Sequence, residues 1–190
     1  SAVLSGCGGN DSKPDGGEGQ EAQAGEEGNH LVVEVGPDPE TIDPALNSAS
    51  DGNIMIIHLF EPLLNMDKDN NIIGGMAETW DVSEDGLTYT FHLREGLKWS
   101  DGSDLTAADF EYTWKRTLSP ELASPAAWEL FYIKGGEEYN KGEGSVDDVA
   151  VKAVDAKTLE VTLNNPTPYF LYLTAASNFF PVKKDVVEGE

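Results

Sequence analysis

Four oxygen-bearing side chains have the spacing of a calcium-binding loop. Positions 1, 3, 5 and 12 of an EF-hand-like segment would be Asp67, Asp69, Asn71 and Glu78. Ca²⁺ takes oxygen ligands from such a loop, but the motif also needs a glycine where Ile72 stands and a helix that begins at its end. Both requirements fail here. We therefore predict a polar turn between a strand and the next segment, and no metal site.

The sequence shows no motif for catalysis or cofactor binding. It lacks a Gly-x-Ser-x-Gly nucleophile turn, a phosphate-binding glycine loop and a His-Glu-x-x-His zinc motif. The three histidines, His30, His58 and His92, have no ligand spacing among them. We predict that the protein is not an enzyme and takes no cofactor.

The single cysteine stands where lipid could be attached. Leu4-Ser5-Gly6-Cys7 resembles the lipobox of bacterial lipoproteins, in which the signal peptide is cut before an acylated cysteine. The resemblance implies that residues 1–7 are a truncated signal peptide with its lipobox and that Cys7 is a membrane anchor. The alternative is an unmodified thiol in a disordered tail.

Charge limits the possible partners. The chain of 190 residues has 35 acidic and 12 basic side chains, and its net charge is −23. Nucleic acids and anionic membrane surfaces select patches of Lys and Arg, so we predict no nucleic-acid partner and no direct adsorption to an anionic membrane surface. Residues 8–30 contain no large apolar side chain and are predicted to be a disordered acidic linker, although their acidic run could instead buffer metal ions.

Local patterns predict a mixed set of strands and helices. Residues 87–93 alternate between apolar and polar side chains, which is the period of a strand with one buried face. Thr106 and Asp109 have the spacing of a helix capping box, and apolar residues then recur at every fourth position. The remaining predicted elements are a strand over 31–35, a helix over 52–59, paired strands over 149–154 and 158–163, and a short helix after 166–170.

Large aromatic residues are expected in the core rather than against a ligand. They are Trp80, Trp99, Phe110 and Trp114, the last two on one face of the helix that begins after Thr106. On the other side of that helix, Glu111 and Lys115 are placed to form an ion pair.

Three runs resemble, almost residue for residue, the signature of bacterial extracellular solute-binding proteins of family 5. They are Glu78-Thr79-Trp80, then Asp85-Gly86-Leu87-Thr88-Tyr89-Thr90-Phe91 with its continuation to Gly102, and Leu105-Thr106-Ala107-Ala108-Asp109-Phe110. The resemblance extends over about residues 31–187. It implies an α/β, two-lobed periplasmic-binding-protein fold (type II, cluster C-like), of which residues 31–190 supply the N-terminal part of lobe one. Residues 61–182 would then be its inserted subdomain.

The resemblance also implies a function. Members of the family are capture subunits of ABC importers, so the expected partners are a peptide ligand, most readily an oligopeptide, and the ABC permease and ATPase subunits. The expected location is the outer face of the cytoplasmic membrane, as a lipid-anchored monomer. Three alternatives remain: a receptor for a nickel chelate, haem or an oligosaccharide on the same scaffold, a surface lipoprotein for signalling or adhesion, and a secreted hydrolase.

Ligand contacts are implied at two places. In oligopeptide-binding members an extended peptide pairs its backbone with the receptor, and alignment from Asp43-Pro44 assigns that role to Ser48, Ala49 and Ser50. Ala126 stands where some members have an aromatic residue after Ala-Ser-Pro, and Ser48 stands where some have an acid. These two differences from the family leave the class of ligand open. The alternative for residues 48–50 is an ordinary polar loop with no ligand contact.

Overall fold

The computed structural model describes residues 32–34 and 36–189. Cys7, residues 1–7 and the predicted linker lie outside these described residues. Residues 32–34 are exposed and form no strand, so the prediction of a strand over 31–35 is wrong for them. A strand needs a hydrogen-bonded neighbour, and no described strand pairs with these residues.

The described residues from Glu34 onward form one compact unit. Its strands are β1 (Leu64–Met66), β2 (Ile72–Gly74), β3 (Ala77–Val82), β4 (Thr88–Leu93), β5 (Val151–Asp155) and β6 (Thr158–Thr162). Its helices are α1 (Ser50–Leu59), α2 (Ala107–Thr117), α3 (Gly136–Asn140), α4 (Phe170–Leu173) and α5 (Lys184–Glu188). Short 3-10 helices occupy Ala127–Leu130, Val146–Asp148 and Ser177–Phe179.

Four strands form an antiparallel sheet in the order β3-β4-β6-β5. Strand β4 buries Tyr89, Phe91 and Leu93 on one face, as its alternation predicts. The predicted pairing of β5 with β6 across a tight turn is also confirmed. The sheet face that carries these side chains is one wall of the core.

Helix α2 packs on β5 and β6 and closes the core from the other side. Its capping box is present: the Asp109 carboxylate accepts hydrogen bonds from the Thr106 N–H (2.7 Å) and hydroxyl (3.1 Å). Phe110 and Trp114 are fully buried. Trp80 and Trp99 are only half-buried at the edge of the core. The expectation that these aromatic residues lie in the core is therefore fully confirmed only for Phe110 and Trp114.

The polar turn at Asp67 joins β1 to β2 as a hairpin. The Asp67 carboxylate accepts hydrogen bonds from the N–H groups of Asp69 (2.8 Å) and Asn71 (2.9 Å), which is a local turn-forming pattern. These bonds account for the acidic spacing without a bound ion. Among residues 32–34 and 36–189, no cluster of His, Cys, Asp or Glu is arranged to hold a metal.

The first and the last regular elements of the unit are helices. Helix α1 begins at Ser50, two residues before the predicted start. After Val182 the structure has helix α5, and no described strand lies beyond this point. No helix in the described part of the chain is both long enough and apolar enough to span a bilayer.

Candidate functional site

The structure brings the four predicted contact residues to one open cavity of about 530 Å³. Ser48, Ala49 and Ser50 lie at the start of α1, whereas Ala126 precedes the 3-10 helix Ala127–Leu130. Their proximity is therefore a tertiary result that no local pattern requires. The cavity is lined by Asn47, Ser48, Ala49, Ser50, Asn53, Ile54, Pro125, Ala126, Trp128, Glu129, Ser177 and Asn178.

An ion pair fixes the loop that leads to this cavity. Both guanidinium nitrogens Nη1 and Nη2 of Arg116, in the last turn of α2, donate to the Asp43 carboxylate, at 3.3 and 2.8 Å. Both side chains are mostly buried, at 14% and 16% exposure. The same carboxylate accepts the Ala45 N–H at 2.9 Å. A bidentate pair of this kind sets orientation as well as position, so the core helix holds the loop in register.

The side chain of Asn47 holds the backbone of Ala49. Its Nδ2 donates to the Ala49 carbonyl at 3.0 Å, and its Oδ1 accepts the Ala49 N–H at 3.4 Å. Ala49 is extended (φ −114°, ψ 150°) and is the N-cap of α1. A Cβ at Gly52 would lie 2.2 Å from Asn47 Oδ1, so this arrangement requires glycine there.

Ser124 joins the two walls of the cavity. Its hydroxyl donates to the Ala45 carbonyl and accepts the Ala126 N–H at 3.1 Å. The preceding residue, Ala123, has a positive φ of 51°, a conformation that costs a non-glycine residue about 1 kcal/mol or more. Ala126 itself is only 4% exposed, so it forms part of the cavity floor and offers little surface to a ligand.

Three further lining residues, Trp128, Glu129 and Asn178, were not among the predicted contacts. Trp128 is 62% exposed although it is a large aromatic residue. Glu129 accepts a hydrogen bond from Asn178 Nδ2 at 2.8 Å, between segments distant in sequence. Of these residues, only Trp128 could have been selected from the sequence. It stands two positions after Ala126, where some family members have an aromatic residue, and could replace that side chain. The contact between Glu129 and Asn178 has no local signature.

The lining consists mainly of neutral groups that can form hydrogen bonds. The lining offers backbone groups, small hydroxyls, amides, one indole and one carboxylate. The Glu129 carboxylate, the one ionisable group in the lining, is hydrogen-bonded to Asn178 and to no serine hydroxyl of the lining. An open groove with exposed backbone is the kind of surface that an extended chain binds.

Comparison with known proteins identifies the family. The description "Bacterial extracellular solute-binding proteins, family 5 Middle" matches residues 71–190. The chain belongs to this family. The oligopeptide-binding protein OppA of Bacillus subtilis is 44% identical over 98% of the chain and 34% of its own length. The chain thus spans about a third of this relative, and the resemblance inferred from the sequence is confirmed.

Solved structures support the fold. The murein tripeptide-binding protein MppA of Escherichia coli matches with a TM-score of 0.77 and 39% identity, over 80% of this chain and 30% of that one. OppA of Haemophilus influenzae, in complex with the peptide RPPGFSPFR, matches with a TM-score of 0.80 and 31% identity, over 86% of this chain and 32% of that one. The described residues are therefore a fragment of the periplasmic-binding-protein fold.

Proposed function

We propose that this chain is the first-lobe part of the substrate-binding subunit of an ABC importer, and that it captures peptides outside the cytoplasm. The observation that carries the proposal is the groove in which Ser48, Ala49 and Ser50 face Ala126. Relatives named for oligopeptide and murein tripeptide binding support it. Residues 61–182 act in this proposal as an inserted subdomain that forms one wall of the groove. Catalysis has no part in it.

Recognition works through the backbone of the loop. In an extended segment, the backbone groups of successive residues point to opposite sides. Asn47 forms hydrogen bonds with the N–H and the carbonyl of Ala49. The opposite side of the loop, which meets the peptide, therefore carries the backbone groups of Ser48 and the N–H of Ser50. Main-chain pairing of this kind provides affinity independent of the ligand's side chains. It therefore suits a receptor for many peptide sequences.

The site dictates the choice of variant. Proline at Ala49 would disturb the Asn47 contact as well as any ligand bond, so its effect would be ambiguous. Ser50 is the first residue of α1, where proline is well tolerated, and Ala49 already has the extended backbone that precedes proline. Ser50→Pro therefore removes one donor and leaves the helix intact.

The test is isothermal titration of a tripeptide against the full-length receptor. Ser50→Pro should weaken binding roughly 3- to 10-fold, the range expected for one hydrogen bond. Ser50→Ala retains the N–H and serves as the matched control, with unchanged affinity expected. Equal affinity for the two variants would contradict backbone pairing at Ser50. A receptor that binds no peptide would favour another solute.

Transport requires partners and a membrane location. The proposed receptor closes its two lobes around the peptide and docks on the ABC permease, which the ATPase drives, and it acts as a monomer. Lipid at Cys7 would keep it at the membrane. Replacement of Cys7 by Ser should move the protein from the membrane fraction to the medium or periplasm. Its retention in the membrane fraction would contradict the anchor.

A further inference from the structure

The cavity that contains Ser48, Ala49 and Ser50 has an uneven distribution of charge. Its twelve lining residues include one ionisable side chain, Glu129, and no Lys, Arg or His. A carboxylate in a peptide would meet the charge of Glu129 with no compensating cation in the lining. A cation would meet an opposite charge. The groove therefore distinguishes ligands by the sign of their charge.

Glu129 is held in place for such a contact. Asn178 Nδ2 donates to its Oε1 at 2.8 Å, which fixes the carboxylate and leaves Oε2 with no hydrogen bond to another described residue. None of the described Lys, Arg or His side chains lies within ion-pair distance of Glu129. The flanking residues Ala127 and Leu130 are buried, so the short helix that carries Glu129 is anchored in the core.

Trp128 adds a second element that favours cations. Its indole lines the same cavity and is 62% exposed. An aromatic face attracts a nearby ammonium or guanidinium, and tryptophan does so best. An indole ring exposed to solvent leaves apolar surface in water, which is unfavourable. A ligand that covers the ring removes this surface from water and so gains binding free energy. Indole and carboxylate on consecutive residues thus offer two kinds of contact to one positively charged group.

We propose that Trp128 and Glu129 form a selectivity site for peptides that carry a lysine or arginine side chain. The inference rests on the proposed peptide capture and names the ligand class of the same groove. Backbone pairing at residues 48 and 50 holds the peptide, while the cationic side chain reaches the indole and Glu129. Peptides with an acidic residue at that position are rejected, since two carboxylates would face each other.

The experiment compares matched peptides on the full-length receptor. Lys-Ala-Ala, Ala-Lys-Ala and Ala-Ala-Lys are titrated by calorimetry beside the same peptides with Met in place of Lys, which has a similar length but no charge. At one of the three positions, Lys should bind roughly 5- to 20-fold more tightly than Met. Glu129→Gln can keep its bond with Asn178 and should reduce the ratio at that position to the roughly 2- to 5-fold that the Trp128 indole supplies.

Two further variants separate the site from the general field of an acidic protein. Glu121→Gln removes the same charge from an exposed residue outside this cavity and should keep the Lys preference. Trp128→Phe should retain most of the preference and Trp128→Leu should lose part of it, with circular dichroism to confirm that each variant is folded.

The outcomes are distinct. A Lys preference that is undiminished in Glu129→Gln would overturn the inference and leave peptide capture in place. Equal binding of Lys and Met peptides by the wild-type receptor would do the same. If no peptide binds, the proposed function falls and the inference falls with it.

Discussion

At the scale of single residues, the polar side chains of this protein act chiefly on backbone groups. Asn47 occupies both backbone groups of Ala49, and Ser124 joins the Ala45 carbonyl to the Ala126 N–H. The two Ser124 bonds are buried and satisfy groups that would otherwise lack partners, at a cost of about 1–3 kcal/mol each. The described residues contain no buried side-chain polar atom without a partner. A groove built in this way keeps its shape before a ligand arrives.

Tyr112 provides a test of such a contact through its pKa. Burial, followed by a hydrogen bond to Glu188, raises the pKa of Tyr112 to about 12. The phenol donates to Glu188 Oε1 at 2.9 Å, which links α2 to α5. Because the folded-state pKa exceeds the unfolded value of about 10, the contact stabilises the fold fully below pH 10. This stabilisation should disappear as the pH rises from about 10 to about 12.

Ultraviolet absorbance titration measures this ionisation. Tyr112→Phe should remove a component that titrates near pH 12. Glu188→Gln, which keeps an acceptor but removes the charge, should shift that component part of the way back toward pH 10. The difference between the wild-type and Tyr112→Phe spectra isolates the ionisation of Tyr112. If that difference titrates near pH 10, burial and Glu188 do not raise the pKa of Tyr112 as expected.

At the scale of elements, helix α2 links the core to the groove. Its buried face carries Phe110 and Trp114, and its last turn supplies Arg116 to the Asp43 loop. Trp114 Nε1 also donates to the Phe179 carbonyl at 2.9 Å. Phe179 directly follows Asn178, which lines the cavity. Both walls of the cavity therefore depend on this one helix. A change that weakens α2 should affect stability and ligand binding together.

The capping box of α2 gives a measurable stability prediction. Asp109→Ala removes the acceptor of two hydrogen bonds from Thr106 and a negative charge at the helix N-terminus. We expect the free energy of unfolding to fall by about 1 kcal/mol, as for other lost caps. Urea denaturation followed by circular dichroism measures it. Glu121→Ala, an exposed acid in a turn, is the control, and equal stability of the two variants would contradict the role of the cap.

The sequence predicted these elements to different degrees, for physical reasons. Strand β4, helix α2 and the pairing of β5 with β6 follow from periodicity, caps and turns, which act between residues close in sequence. The predicted strand over 31–35 is wrong for residues 32–34, because a strand depends on a distant neighbour. The bond between Glu129 and Asn178 was not predictable for the same reason, since only the folded chain brings the two residues together.

At the scale of the molecule, the chain is strongly acidic and spans about a third of its relatives. A net charge of −23 attracts cationic peptides over distances up to a Debye length of about 8 Å at physiological salt. This attraction speeds association but does not select a binding pose. The selection requires contacts at short range, and the proposed contacts lie on one side of an open groove.

The last prediction concerns the chain of residues 1–190 studied alone. In the proposed function a receptor encloses its ligand between two lobes, and residues 1–190 span about a third of the length of the relative OppA. A ligand exposed on one side excludes little water, so its polar contacts are screened and its apolar burial is small. We expect a Kd no better than about 1 mM, which corresponds to about −4 kcal/mol. Isothermal titration with a mixed tripeptide library measures it, with full-length receptor as the positive control. Binding in the micromolar range would show that the groove described by Ser48, Ala49 and Ser50 suffices without a second lobe.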